Sequence, residues 1–227
     1  MKLKVILLAL LGFVFFDSAA QEYYNKSLSI GAKGGVIMSE NMFSPSVPQT
    51  LHIGPMVGFT VRYIEENHFG LIGEINYEHR GWKETFKETG YSYQRDLSYI
   101  QIPLLAHIFF GTDRARFFFN AGPEIGFMIS EATKANFNIE DFKSLDDFPY
   151  TNRSTEQFTM SVKNKIDYGI SAGLGAEVSL NRKHAINVEG RFYYGLNNIF
   201  SSNKKDTFAA SNSIGIMVSL GYYFRIK

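Results

Sequence analysis

The feature that most constrains this chain is a period of two. Eight segments alternate apolar with polar residues: Ser27 to Met38, His52 to Ile64, Phe69 to Arg80, Ser98 to Phe110, Ala115 to Ser130, Ile166 to Leu180, His184 to Asn197 and Ser213 to Ile226. In the seventh, Ile186, Val188, Phe192 and Tyr194 fall on one side, and Asn187, Glu189, Arg191 and Tyr193 on the other. Successive side chains of a strand point to opposite faces, so these dyads specify a sheet with one apolar face.

Connections after the second, fourth and sixth segments are short turns such as Glu65-Glu66-Asn67, Gly111-Thr112-Asp113-Arg114 and Asn181-Arg182-Lys183. The others are long, near Ser39 to Leu51, Gly81 to Leu97, Glu131 to Lys165 and Asn198 to Asn212. An even strand count with short turns at one end and long loops at the other is the layout of an outer-membrane barrel. Beyond Gln21 no apolar stretch reaches the roughly 20 residues of a spanning helix, so a closed barrel is the way this chain could enter a membrane. The predicted fold is all-β: an eight-stranded antiparallel up-and-down transmembrane β-barrel with short periplasmic turns and long extracellular loops.

A soluble barrel also alternates, with its apolar face inward, so the polar face has to discriminate. It carries Gly31, Gly35, Gly54, Gly58, Gly122, Gly126, Gly169, Gly173, Gly175, Gly215 and Gly221 among charged residues. The interior of a narrow eight-stranded barrel needs residues without bulk, whereas a wet surface seldom does. The apolar face carries Phe59, Tyr63, Tyr77, Phe127, Tyr168, Tyr194, Tyr222 and Phe224, several near strand ends, as interfacial aromatic girdles would. The polar face is therefore predicted to line the lumen.

Before the first segment, Lys2 and Lys4 precede an apolar run from Val5 to Phe16 and the small residues Ser18, Ala19 and Ala20. This is the pattern of a signal peptide over residues 1–20, cleaved after Ala20 to leave a barrel domain over residues 21–227. Removing Lys2, Lys4 and Asp17 leaves 21 basic and 21 acidic residues. That balance argues against a nucleic-acid partner. With no cysteine there is no disulfide framework, thiolate metal site or cysteine nucleophile. Pro55, Pro103 and Pro123 are expected toward the long-loop rim, where bulged or frayed pairing accommodates them.

The segments Ile30-Gly31-Ala32-Lys33-Gly34-Gly35-Val36, Tyr99-Ile100-Gln101-Ile102-Pro103-Leu104-Leu105 and Asn120-Ala121-Gly122-Pro123-Glu124 resemble the PorT-like outer-membrane β-barrel family of Bacteroidota. The C-terminal run with Ser219, Gly221, Phe224 and Ile226 resembles the signal read by the barrel-assembly machinery, with Lys227 added after its last apolar residue. The resemblance implies an eight-stranded barrel in the outer membrane and, for the founding member, a part in protein secretion. Its expected partners are the lipid bilayer and lipopolysaccharide, the assembly machinery during biogenesis, and proteins of a secretion or surface-assembly complex. No motif implies a cofactor.

The most distinctive chemistry is a set of charges on inward parity. Six acids, Glu74, Glu78, Glu124, Asp167, Glu177 and Glu189, face five bases, Lys33, Arg62, Arg80, Arg191 and Arg225. They are read as a salt-bridged plug, because side chains just fill a barrel of this size, in preference to an ion or proton path or a small-molecule pore. His107, also on inward parity, suggests an alternative: general base of a membrane-embedded lipid-modifying hydrolase or transferase. The five histidines show no metal-ligand spacing, and no serine sits in a nucleophile elbow. In the third long loop Phe137, Phe142, Leu145 and Phe148 are candidates for meeting a partner or for packing over the barrel mouth. The leading expectation is a non-enzymatic barrel acting through its loops or rim.

Overall fold

The computed structural model describes residues 26–86, 89–149, 154–200, 202 and 207–226; the expected signal peptide at residues 1–20 and Lys227 lie outside them. Eight strands follow in chain order: β1 Ser27–Ser44, β2 His52–Ile64, β3 Phe69–Thr85, β4 Ser92–Gly111, β5 Ala115–Ala135, β6 Ile166–Ser179, β7 His184–Asn198 and β8 Ala210–Arg225. Each pairs antiparallel with the next, and β1 pairs with β8, closing the barrel. Closure leaves no edge strand, so each strand has a ladder neighbour on both sides.

Five strands run past the limits the alternation suggests, all toward the long-loop rim. β1 continues to Ser44, β3 to Thr85 and β5 to Ala135, while β4 begins at Ser92 and β8 at Ala210. The apolar dyad fades there, so the alternation alone does not mark these ends. The backbone groups still need partners, and the ladder goes on supplying them.

This extension moves the prolines. Pro103 and Pro123 lie well inside β4 and β5 rather than at the rim. The β4–β5 pairing lapses between Pro103↔Glu124 and Ala106↔Ala121, and the β2–β3 pairing ends at Met56↔Glu78, just before Pro55. A residue with no N–H cannot donate to the ladder, and the pairing gives way on one side only, since Val36↔Pro55 and Pro123↔Ile170 continue on the other. In both Gly54-Pro55 and Gly122-Pro123 the glycine makes room for a neighbouring carbonyl. A Cβ would lie 1.9 Å from the His79 oxygen at Gly54 and 2.0 Å from the Leu104 oxygen at Gly122.

Burial is inverted relative to a water-soluble protein. Phe59 is 75% and Phe117 72% exposed on the outer wall, whereas Glu74 is 4% and Arg191 3% exposed inside. Among the described residues no helix is long and apolar enough to cross a membrane. The three short turns are tight. Thr112 N–H donates to the Ala115 carbonyl at 2.9 Å, and Asn181 Oδ1 accepts from the Lys183 and His184 amides at 2.8 and 3.0 Å.

Candidate functional site

Inward parity carries the charged side chains into the lumen in layers. Near the short-turn rim, Arg62 of β2 meets Glu177 of β6, with Nη2 donating to Oε1 at 3.2 Å and Nη1 to Oε2. Its guanidinium carbon stands 4.0 Å from the Tyr223 ring centre. Below this pair Ile64, Phe109 and Phe118 form a small apolar floor.

At mid-barrel Arg191 is the hub. It donates to Glu74 from Nη1 and Nη2 at 2.9 and 3.0 Å, and to Glu189 from Nε and Nη2 at 3.0 and 2.9 Å. Lys33 Nζ lies 2.7 Å from Glu74 Oε2 and 3.6 Å from Glu189 Oε2, and Glu124 Oε1 lies 3.6 Å from Arg191. Neutral side chains complete the layer. Asn76 donates to Glu74 at 2.9 Å and Asn120 to Glu189 at 2.8 Å, while His107 Nδ1 meets Asn120 Oδ1 at 2.7 Å. Burying so many ions is tolerable only when each finds such partners.

Above them Arg80 bridges Asp167 at 3.2 Å and Glu78 at 3.5 Å, with Tyr99 and Tyr193 rings 4.3 and 5.0 Å from its guanidinium carbon. Arg225 is not part of this lumen. It ends β8, half-buried in the mouth at the short-turn rim beside Ser29, Arg182, Lys183 and Tyr223, because the wall stops there. Of the predicted set six acids and four bases are therefore enclosed, and Arg116 of β5, also on inward parity and buried, adds a base near the short-turn rim.

The long-loop mouth is closed by an aromatic cap drawn from all four long connections. Phe43, Trp82, Phe86, Tyr93, Phe142, Phe148, Phe158, Phe200 and Phe208 are buried in one cluster, with Phe137 and Leu145 partly buried against it. Phe43 meets Trp82 edge-on at 5.3 Å, and Tyr93 lies 4.6 Å from Phe158. Phe142 and Phe148 thus pack over the barrel mouth, with Phe137 and Leu145 half-buried against them. Their apolar area is covered by the other loops, which is where burial is most favourable. Within the cap, Glu84 accepts from Trp82 Nε1 at 3.3 Å and from Gln157 Nε2 at 3.1 Å. Arg95 donates to Tyr93 Oη at 3.1 Å and to the Met160 carbonyl at 2.8 Å.

The family model for the outer membrane protein beta-barrel domain matches residues 19–201. The chain belongs to that family. It is an outer-membrane protein. No curated protein sequence matches it. Among solved structures, this outer-membrane barrel is similar to Neisserial surface protein A, at 11% identity over 87% of this chain and 98% of that one, with a TM-score of 0.47. It is also similar to the N-terminal β-barrel domain of Pseudomonas aeruginosa OprF, at 11% identity, 88% and 100% coverage and a TM-score of 0.43. Outer Membrane Protein W of E. coli gives 16% identity, 88% and 100% coverage and a TM-score of 0.42.

Of the residues expected to form a barrel-assembly signal, Ser219 and Gly221 face inward and Phe224 and Ile226 lie on the outer parity of β8 and its end. Sequence reasoning missed the polar members Asn76 and Asn120, and the cap residues Glu84, Arg95 and Gln157. Inward parity was the signal for the first two. The cap residues lie where the alternation had already faded. It also missed that the fold brings His52, His79 and Asp96 to within 4.8 Å of one another through their ligand atoms.

Proposed function

We propose that this outer-membrane barrel is non-enzymatic and works as a rigid platform, presenting its folded loops to protein partners in secretion or surface assembly. The observation that carries this reading is the cap. The four long connections bury their large apolar side chains in one cluster over a lumen already filled with ion pairs. A filled lumen is a poor solute path, and a loop set with its own core is suited to holding a fixed shape. The outward side of the third loop is acidic, with Glu140, Asp141, Asp146 and Asp147 exposed around the buried Phe142 and Phe148. A partner with a basic surface fits it. The resemblance to PorT-like barrels supports the secretion setting.

The lipid-modifying alternative has less support. His107 is 2% exposed, bonded to Asn120 and packed on Phe109 and Phe118, where a lipid substrate has no approach. A photoreactive residue at the exposed Lys143, irradiated in cells, tests the platform reading. Recovery of secretion or surface-assembly components is expected. Capture of abundant neighbours alone, or an altered lipid A mass spectrum in cells lacking the protein, overturns it.

A further inference from the structure

At the long-loop rim, next to Tyr77, three side chains from three strands converge. The register His79↔Ser98 and Gly81↔Asp96 puts His79 and Asp96 on the same face of neighbouring strands. His52 reaches them from β2 because Gly54 lets β3 close in at the His79 carbonyl. His52 Nε2 lies 2.7 Å and His79 Nε2 3.5 Å from Asp96 Oδ1, with the two imidazole centres 5.4 Å apart.

We propose that His52 Nε2, His79 Nε2 and Asp96 Oδ1 bind a divalent transition metal of the zinc class. Two imidazoles and one carboxylate are a recurrent Zn2+ donor set, and metal–ligand distances of about 2.0–2.2 Å place donors about 3.3 Å apart across a tetrahedron. The observed 2.7 and 3.5 Å straddle that spacing, so small side-chain shifts suffice. The His79 tautomer suits it as well. His79 Nδ1 is 3.2 Å from Ser98 Oγ, which in turn is 3.1 Å from Tyr77 Oη. With Nδ1–H donated to Ser98, the Nε2 lone pair is aimed at the cluster, the arrangement that orients metal-binding histidines. His52 Nε2 donates to Asp96 Oδ1, so metal binding at Nε2 displaces that proton, and Nδ1, with no hydrogen-bond partner among the described residues, is the site left to carry one.

The remaining groups around Asp96 are compatible. Lys134 Nζ sits 2.8 Å from the other oxygen, Oδ2, on a side chain that is 70% exposed and can swing away. Gln94 Nε2 donates to Oδ1 at 2.6 Å, and that oxygen has a second lone pair for the metal. His52 and Asp96 are 3% and 4% exposed, while His79 is 27% exposed, which opens one side of the cluster to water as a further ligand. No separation in the sequence suggests this set, because three strands must register before it exists.

The test uses the untagged full chain folded in detergent micelles, stripped with EDTA and titrated with Zn2+ by calorimetry. One Zn2+ per chain is expected, and Co2+ in its place should give the visible absorption of a four- or five-coordinate nitrogen–oxygen site. Ser98→Ala, which touches only the positioning hydrogen bond, should weaken binding by about tenfold. His79→Ala should weaken it more, with the heat-modifiable gel mobility of the folded barrel unchanged. His79 is partly exposed, so it decides the question even where His52→Ala or Asp96→Ala fails to fold. Absence of saturable uptake, uptake that survives His79→Ala, or uptake lost instead in His68→Ala or His184→Ala overturns the proposal.

Discussion

Arg191 of β7 holds Glu74 of β3 with two nearly parallel hydrogen bonds, 2.9 and 3.0 Å long, spanning the lumen between strands four apart in an eight-strand ring. Arg62 of β2 and Glu177 of β6 repeat that diametric relationship nearer the short-turn rim. These pairs tie opposite walls together, so the charges work as cross-braces as well as filling.

Removing the hub should be costly. Arg191→Met leaves Glu74 and Glu189 buried without their main counter-ion, and such a loss typically costs about 3–5 kcal/mol. Replacing Glu189 and Arg191 together by Gln should cost less than the single change but still weaken resistance to unfolding. Urea titrations in detergent, read by gel mobility, check both; unchanged midpoints would exclude a bracing role.

In planar bilayers the protein should show no steady conductance, because Arg191, Lys33 and their acids occupy the middle of the lumen. Shortening all four, as Lys33→Ala, Glu74→Ala, Glu189→Ala and Arg191→Ala together, should admit small ions. Channels of the same size before and after would show that the plug is not where the structure puts it.

The cap should yield independently of the barrel. Trp82 is fully buried against Phe43 and Phe200, and a buried Trp→Ala change costs about 3–5 kcal/mol. Proteolysis of the third loop should accelerate in Trp82→Ala while the barrel keeps its heat-modifiable mobility. Equal protection of both chains would mean that the cluster does not hold the loop.

Glycines should sort by what a side chain would meet. Gly54→Ala places a Cβ against the His79 carbonyl and should lower folding yield, whereas at Gly190 nothing lies within 4 Å. Gly190→Ala should be neutral or stabilising, because it removes freedom from the unfolded chain. Refolding yields of the two variants make the comparison.

The loop contact between Tyr91 and Asp147 predicts a pH effect. Tyr91 Oη donates to Asp147 Oδ1 at 2.6 Å, and that bond raises the phenol above its ordinary value near 10. The neutral form is favoured in the fold, so the contact's contribution is full below pH of about 10 and is lost as pH rises through the raised value. Ultraviolet titration against Tyr91→Phe should isolate a late-titrating tyrosine. A normal midpoint would show the bond to be absent in solution.

The amino-acid sequence by itself determined the wall. Strand period, turn positions and the choice of inward face follow from side chains alternating along one strand, a relation local in the chain, and Lys33, Glu74, Glu189 and Arg191 were legible for that reason. Which acid meets which base was not legible, because partners such as Arg62 and Glu177 come together only when eight strands close with a fixed stagger. The cap escaped for a related reason. Phe43, Trp82, Phe158 and Phe208 read as loop aromatics until four connections converge and bury them. Arg225 kept its parity yet lies in the mouth, since parity tells a side chain which way to point and only the height of the barrel decides whether anything is there to enclose it.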